Sequence, residues 1–101
     1  MNDLEPSEFY LGQNYPNPFS EKTTIKFCVA YKAKVKLQVF RPEGEMIKML
    51  IDEEKESGTY EVEFDCFELD EGIYVYQIQA EKFISVKKMI LKKLKTEELN
   101  V

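Results

Sequence analysis

The sequence predicts an all-β protein, an antiparallel sandwich around one hydrophobic core. Three observations carry that prediction. Apolar residues recur at every second position through several runs, the period of a half-buried strand. Turn-forming clusters interrupt these runs at spacings of about 8–12 residues. No apolar pattern with the 3.6-residue period of a helix extends past a few positions, so no helix competes with the strands.

The elements follow in order. Residues 1–8 are polar, contain Pro6, and read as a linker. "FYLG", Phe9 to Gly12, is a short first strand. The stiff segment "NYPNPF", Asn14 to Phe19, comes next. Thr23 to Val29 alternates, with Ile25, Phe27 and Val29 on the apolar face. Val35 to Arg41 alternates again, with Val35, Leu37 and Val39 facing in. "RPEGE" closes a hairpin, because Pro42 presets φ for a turn position and Gly44 supplies a positive one. Met46 to Asp52 is the return strand, and "EEKESG", Glu53 to Gly58, is a polar loop.

Thr59 to Asp65 points Tyr60, Val62 and Phe64 inward, and the corner from Cys66 to Gly72 places Leu69 against the core. "IYVYQIQA", Ile73 to Ala80, is apolar on both faces early on, the mark of a central strand. Glu81 to Phe83 turns the chain into a last strand, Ile84 to Lys93. Residues 94–101 form a polar tail with a short helix around "TEEL" as one option. About seven strands with this turn spacing point to an Ig-like antiparallel β-sandwich over residues 9–93.

Composition narrows function. A chain of 101 residues with 44% apolar residues supports one core. The formal net charge of −5 argues against general nucleic-acid binding. No apolar run approaches the ~18 residues of a membrane span, and no signal peptide opens the sequence. Charge is unevenly spread. Glu43 to Glu71 holds twelve acids against Lys48 and Lys55, whereas Lys82 to Lys95 holds six lysines and no acid. Solvated strand faces of opposite sign explain this blandly; an electropositive last strand that meets a partner is the sharper reading.

Catalytic equipment is sparse. The chain has no His, so Ser–His and Cys–His nucleophilic sites are excluded. Its four glycines are dispersed and form no phosphate loop. "DEEKE" and "ELDE" lack the spacing of a Ca²⁺ loop, so no metal or cofactor is expected. Cys28 and Cys66 belong to opposite faces of their strands, so two free thiols are expected. Tyr74 and Tyr76 share a face with Ile78 and Ala80. They read as core residues, with a sugar-stacking platform as the alternative.

The prolines of "NYPNPF" fix their own φ and push Tyr15 and Asn17 toward extended conformations. Asn14 and Asn17 can bond nearby backbone groups. Tyr15 and Phe19 are expected to act as two apolar pins that seat the loop on the sandwich.

The pattern resembles the C-terminal sorting domain, type A, of proteins exported by the type IX (Por) secretion system. That family is related to the Ig-like domain of the flagellar hook-capping protein. The resemblance runs from Pro6 to about Lys93 through four ordered motifs: "NYPNPF" with its threonine strand, "VKLQVFRPEGEMIKML", "SGTYEVEFDCFELDEGIYVYQI" and "SVKKMIL". Arg41, Pro42, Cys28 and Cys66 depart from the family pattern.

The resemblance implies a non-catalytic module that sorts or anchors an attached passenger at the cell surface. Its partners would be the outer-membrane secretion machinery and the covalently attached passenger, within a longer secreted precursor. Tyr15, Pro16, Asn17, Pro18, Phe19, Gly72, Tyr74, Lys87, Lys88 and Met89 are the implied recognition residues. Two other readings stay open: an Ig-like accessory or interaction module, cytoplasmic if it stands alone, and a weak carbohydrate- or Ca²⁺-binding sandwich. The oligomeric state is not legible in the sequence.

Overall fold

The computed structural model describes residues 7–66 and 68–93. The expected tail over 94–101, with its helix option, lies outside the described residues, as does most of the expected linker. The rest is two antiparallel sheets. Strands β1 (Tyr10–Leu11), β2 (Lys22–Val29) and β5 (Gly58–Asp65) form the first sheet in the order β1-β2-β5. Strands β3 (Ala33–Phe40), β4 (Met46–Lys55), β6 (Gly72–Ala80) and β7 (Phe83–Leu91) form the second in the order β4-β3-β6-β7.

Side-chain alternation builds the core between the sheets. Ile25, Phe27 and Val29 of β2 face Val35, Leu37 and Val39 of β3 and Tyr76 and Ile78 of β6, all fully buried. Stripping water from such side chains stabilises a fold by about 1.5–3 kcal/mol each. Stacked aromatic rings help close the layer: Phe27 lies over Tyr60, with centroids 5.4 Å apart.

The outer faces differ. On the first sheet Lys22 and Lys26 of β2 form ion pairs with Glu63 and Glu61 of β5, at 3.9 and 3.7 Å. On the second sheet Ile73, Ile84, Val86 and Ile90 stay exposed.

The return strand of the first hairpin is longer than expected. Glu53 to Lys55 belong to β4 and not to a loop, because β3 begins at Ala33 and offers partners that far: Ala33 pairs with Lys55 and Lys34 with Glu54. Lys32–Glu54 at 3.7 Å and Lys34–Asp52 at 3.4 Å reinforce the extension. The turn itself is as expected. The Gly44 N–H donates to the Arg41 carbonyl at 2.9 Å, with Gly44 at φ 112°. Two register shifts, at Leu37/Gln38 and Val39/Phe40, bend this β4 edge. In a constant-type Ig sandwich the fourth strand sits beside the fifth. Here it stays with β3.

A further Ig-like device sits where β5 passes to β6. The Tyr74 hydroxyl donates to the Asp70 carbonyl, four residues upstream, at 2.6 Å. This is the arrangement of a tyrosine corner. Gly72 between them has φ 152° with nothing near its missing Cβ, so backbone conformation and not space selects glycine.

Candidate functional site

The segment Gln13–Phe19 leaves the first sheet and crosses to the edge of the second, where it docks on β7. Its bonds explain its sequence. Tyr15 and Thr24 exchange backbone hydrogen bonds at 2.9 Å, an antiparallel bridge. That bridge sets the direction of each neighbouring side chain. Thr24 lies on the outer face of β2, so Tyr15 opposite it also points outward and is 80% exposed. The expected role of Tyr15 as a core pin is therefore corrected. The residues one step along each strand, Asn14 and Thr23, point inward and are buried.

Asn14 is the pin that replaces it. Its Nδ2 donates to Thr23 Oγ1 at 3.0 Å and to the Pro16 carbonyl at 3.1 Å. Thr23 Oγ1 in turn donates to the Pro16 carbonyl at 2.8 Å. The Asn14 N–H donates to the Tyr76 hydroxyl at 2.7 Å, and that hydroxyl donates to the Gly12 carbonyl at 2.7 Å. Burial pushes the Tyr76 phenol up to about 12, and the bond from Asn14 opposes that shift. So Tyr76 stays neutral, and its hydroxyl keeps donating to the Gly12 carbonyl.

Pro16 and Pro18 fall on exposed positions where no N–H is required. Both follow cis peptide bonds. Phe19 is the second pin, as expected: it is buried and meets Phe64 edge-on at 6.3 Å.

On β7 the segment acts as a short added strand. The Phe19 N–H donates to the Ile90 carbonyl, and the Lys92 N–H donates to the Phe19 carbonyl, both at 2.9 Å. The Ile90 N–H donates to Asn17 Oδ1 at 2.9 Å. Gln13 Nε2 donates to the Lys88 carbonyl at 2.6 Å. The strap thus covers the edge of β7 from Lys88 to Lys92.

The ten residues singled out from the sequence meet in one region. Gly72 pairs with Leu91 and Tyr74 with Met89 across β6 and β7, beside the strap. They divide by exposure. Tyr15, Pro16, Asn17, Pro18, Gly72 and Lys88 are exposed, Lys87 is half-buried, and Phe19, Tyr74 and Met89 are buried. Tyr74 and Tyr76 both lie in the core, so they offer no platform for a sugar.

Sequence reasoning missed Gln13 and the exposed stripe Ile84, Val86 and Ile90. The stripe was legible as a second alternation in the last strand. Gln13 left no local signal, since its partner Lys88 lies 75 residues away.

Little here suggests bond-making chemistry. Cys28 and Cys66 are free thiols. The Cys66 Sγ bonds to the Glu21 and Ser20 carbonyls at 3.0 and 3.3 Å. Burial is the main cause that raises its pKa, so it stays a thiol and not a nucleophilic thiolate. Among the described residues no group of three or more Cys, Asp or Glu gathers as a metal would need. A cleft of about 460 Å³ beside the strap is lined by Tyr10, Gln13, Tyr15, Thr24, Lys26 and Glu61. No helix among the described residues is long and apolar enough to cross a membrane.

A family model described as the secretion system C-terminal sorting domain matches residues 13–92. No curated protein and no solved structure was found to match the chain.

Proposed function

This chain belongs to the family of secretion system C-terminal sorting domains, and from that membership we propose that it is the non-catalytic sorting module of a protein exported by type IX secretion. It directs an attached passenger through the outer membrane to the cell surface, as one part of a longer precursor. The observation that carries this reading is the extent of the match. Residues 13–92 take in the strap, most of both sheets and the whole of β7.

The outer-membrane machinery reads the junction of strap and last strand. Tyr15, Pro16, Asn17, Pro18 and Lys88 present the contact surface, with Lys87 at its margin. Phe19, Gly72, Tyr74 and Met89 hold that surface in shape from within. The absence of His and the protonated Cys66 support a module that acts by being recognised and not by catalysis.

The test is a fusion. Residues 6–93 and 6–101 are placed behind a signal peptide and a reporter in a host with type IX secretion. The expected result is reporter on the cell surface or in the medium. Reporter retained in the periplasm with both fusions overturns the reading.

A further inference from the structure

Among the described residues, only half of the edge of β7 has backbone partners. The strap occupies Lys88 to Lys92 through Gln13, Asn17 and Phe19. The other side of β7 pairs with β6 along its whole length. In an antiparallel strand the backbone groups of every second residue point to the same side. Those of Ile90 point to the strap. Those of Ile84 and Val86, and the N–H of Lys88, therefore point to the same open edge, where they make no backbone bond among the described residues. An open edge of this kind is a template for another strand.

The side chains along this edge specify what fits. Ile84 and Val86 project from the outer face, 57% and 54% exposed. Ser85 and Lys87 project to the other face and are half-buried, and Lys82 and Lys88 flank the stretch. Lys22, Lys26, Lys32, Lys34, Arg41 and Lys55 all have ion-pair partners. Lys82, Lys87, Lys88 and Lys92 have none among the described residues. Lys36 and Lys48 are likewise unpaired among the described residues, but they lie on strands that carry or face acids, whereas residues 82–93 contain five lysines and no acid.

We propose that the open edge at Ile84–Lys88 binds an extended acidic peptide strand of another protein by β-strand addition. The partner strand alternates. Apolar side chains lie beside Ile84 and Val86 on the outer face, and acidic ones lie beside Lys87 on the other. The strap already shows the mode, since it adds to the same edge one step further along. A second copy of this chain fits less well, because an antiparallel pair centred on Val86 sets Lys87 and Lys88 of each copy opposite Ser85 and Ile84 of the other and offers the lysines no carboxylate. The proposal rests on the sorting reading only in supplying the mode by which the machinery would grip the domain.

The probe is a dye-labelled seven-residue peptide alternating valine with glutamate, titrated into the full 101-residue chain by fluorescence anisotropy. Binding is expected, with an affinity that falls as salt rises. A counterpart with lysine in place of glutamate is expected not to bind. Val86→Pro removes an outward N–H but no ladder bond, so the fold is retained, as a thermal melt will show. It should weaken binding about fivefold or more, the loss of one ordinary backbone hydrogen bond. Lys88→Glu should weaken it through charge.

Equal binding of both peptides, no binding of either, or unchanged affinity in a folded Val86→Pro chain each overturns the proposal. A dimer in sedimentation that disappears with Val86→Pro overturns it in favour of a second copy. The titration needs no export, so its failure leaves the sorting reading standing. Failed export alongside intact peptide binding falls on the sorting reading alone.

Discussion

Replacing Tyr76 by Phe tests how the strap is held. The ring stays and only the hydroxyl goes, so packing is nearly conserved. That hydroxyl donates to the Gly12 carbonyl and accepts from the Asn14 N–H, each at 2.7 Å and buried. Loss of a hydrogen bond of ordinary net strength costs about 1 kcal/mol, and a buried backbone group left unsatisfied costs about 1–3 kcal/mol. Two groups are orphaned at once, and local relaxation recovers part of the cost. The expected destabilisation is about 2–4 kcal/mol by urea denaturation at neutral pH. Hydrogen exchange at the Asn14 amide should accelerate with it.

The pH dependence adds a second check. The phenol rises from 10.0 to about 12 on folding, so the folded state holds its proton more tightly. Its contribution to stability is complete below about pH 10 and is lost as pH climbs toward about 12. Phe cannot titrate, so the gap between the two proteins should narrow over that interval. Every other side chain is the same in the two proteins, so the difference between them isolates Tyr76. A deficit below about 1 kcal/mol would show that water already satisfies Gly12 and Asn14. A gap constant between pH 10 and 12 would show that Tyr76 does not titrate as its burial requires.

Three other substitutions separate the parts of the site, and a fourth tests the β6–β7 turn. Phe19→Ala should cost about 2–4 kcal/mol in a thermal or urea melt, as for aromatic truncation in a packed core. Tyr15→Ala should change stability by less than about 0.5 kcal/mol, because its side chain is exposed. Asn17→Ala should lower stability by only about 0.5–1 kcal/mol, since water can reach the exposed bond it loses. Its clearest readout is faster hydrogen exchange at the Ile90 amide. Glu81→Gly should raise stability by up to about 1 kcal/mol, because Glu81 holds φ 56° in the β6–β7 turn and glycine removes that strain. A melt with no gain at Glu81→Gly would mean that the added freedom of the unfolded chain offsets the relief.

Much of the fold was legible because the information is local. The period of two in Ile25, Phe27 and Val29, and in Tyr74, Tyr76 and Ile78, names the inward face without knowledge of any neighbour. "RPEG" names its turn because Pro and Gly act through their own φ. The end of β4 was misjudged for the converse reason. Glu53 to Lys55 are polar and look like a loop, and only the partners Ala33 to Val35 across the ladder make them a strand.

The site divides along the same line. The sequence alone marked out the stiff segment near the start and the burial of Phe19, since prolines and an aromatic before a threonine strand are local features. It also determined the strand faces and the free thiols. It did not determine that Asn14 points in and Tyr15 out, because that follows from the bridge to Thr24. Nor did it determine that the strap bonds to one half of the β7 edge and that, among the described residues, the other half has no backbone partner. Those outcomes depend on which strand ends at the edge of which sheet, and on contacts such as Gln13 to Lys88 and Asn17 to Ile90. Local pattern encodes the direction of a side chain along its own strand. Only closure of the two sheets brings segments more than seventy residues apart within hydrogen-bonding distance, and so decides what remains open to a partner.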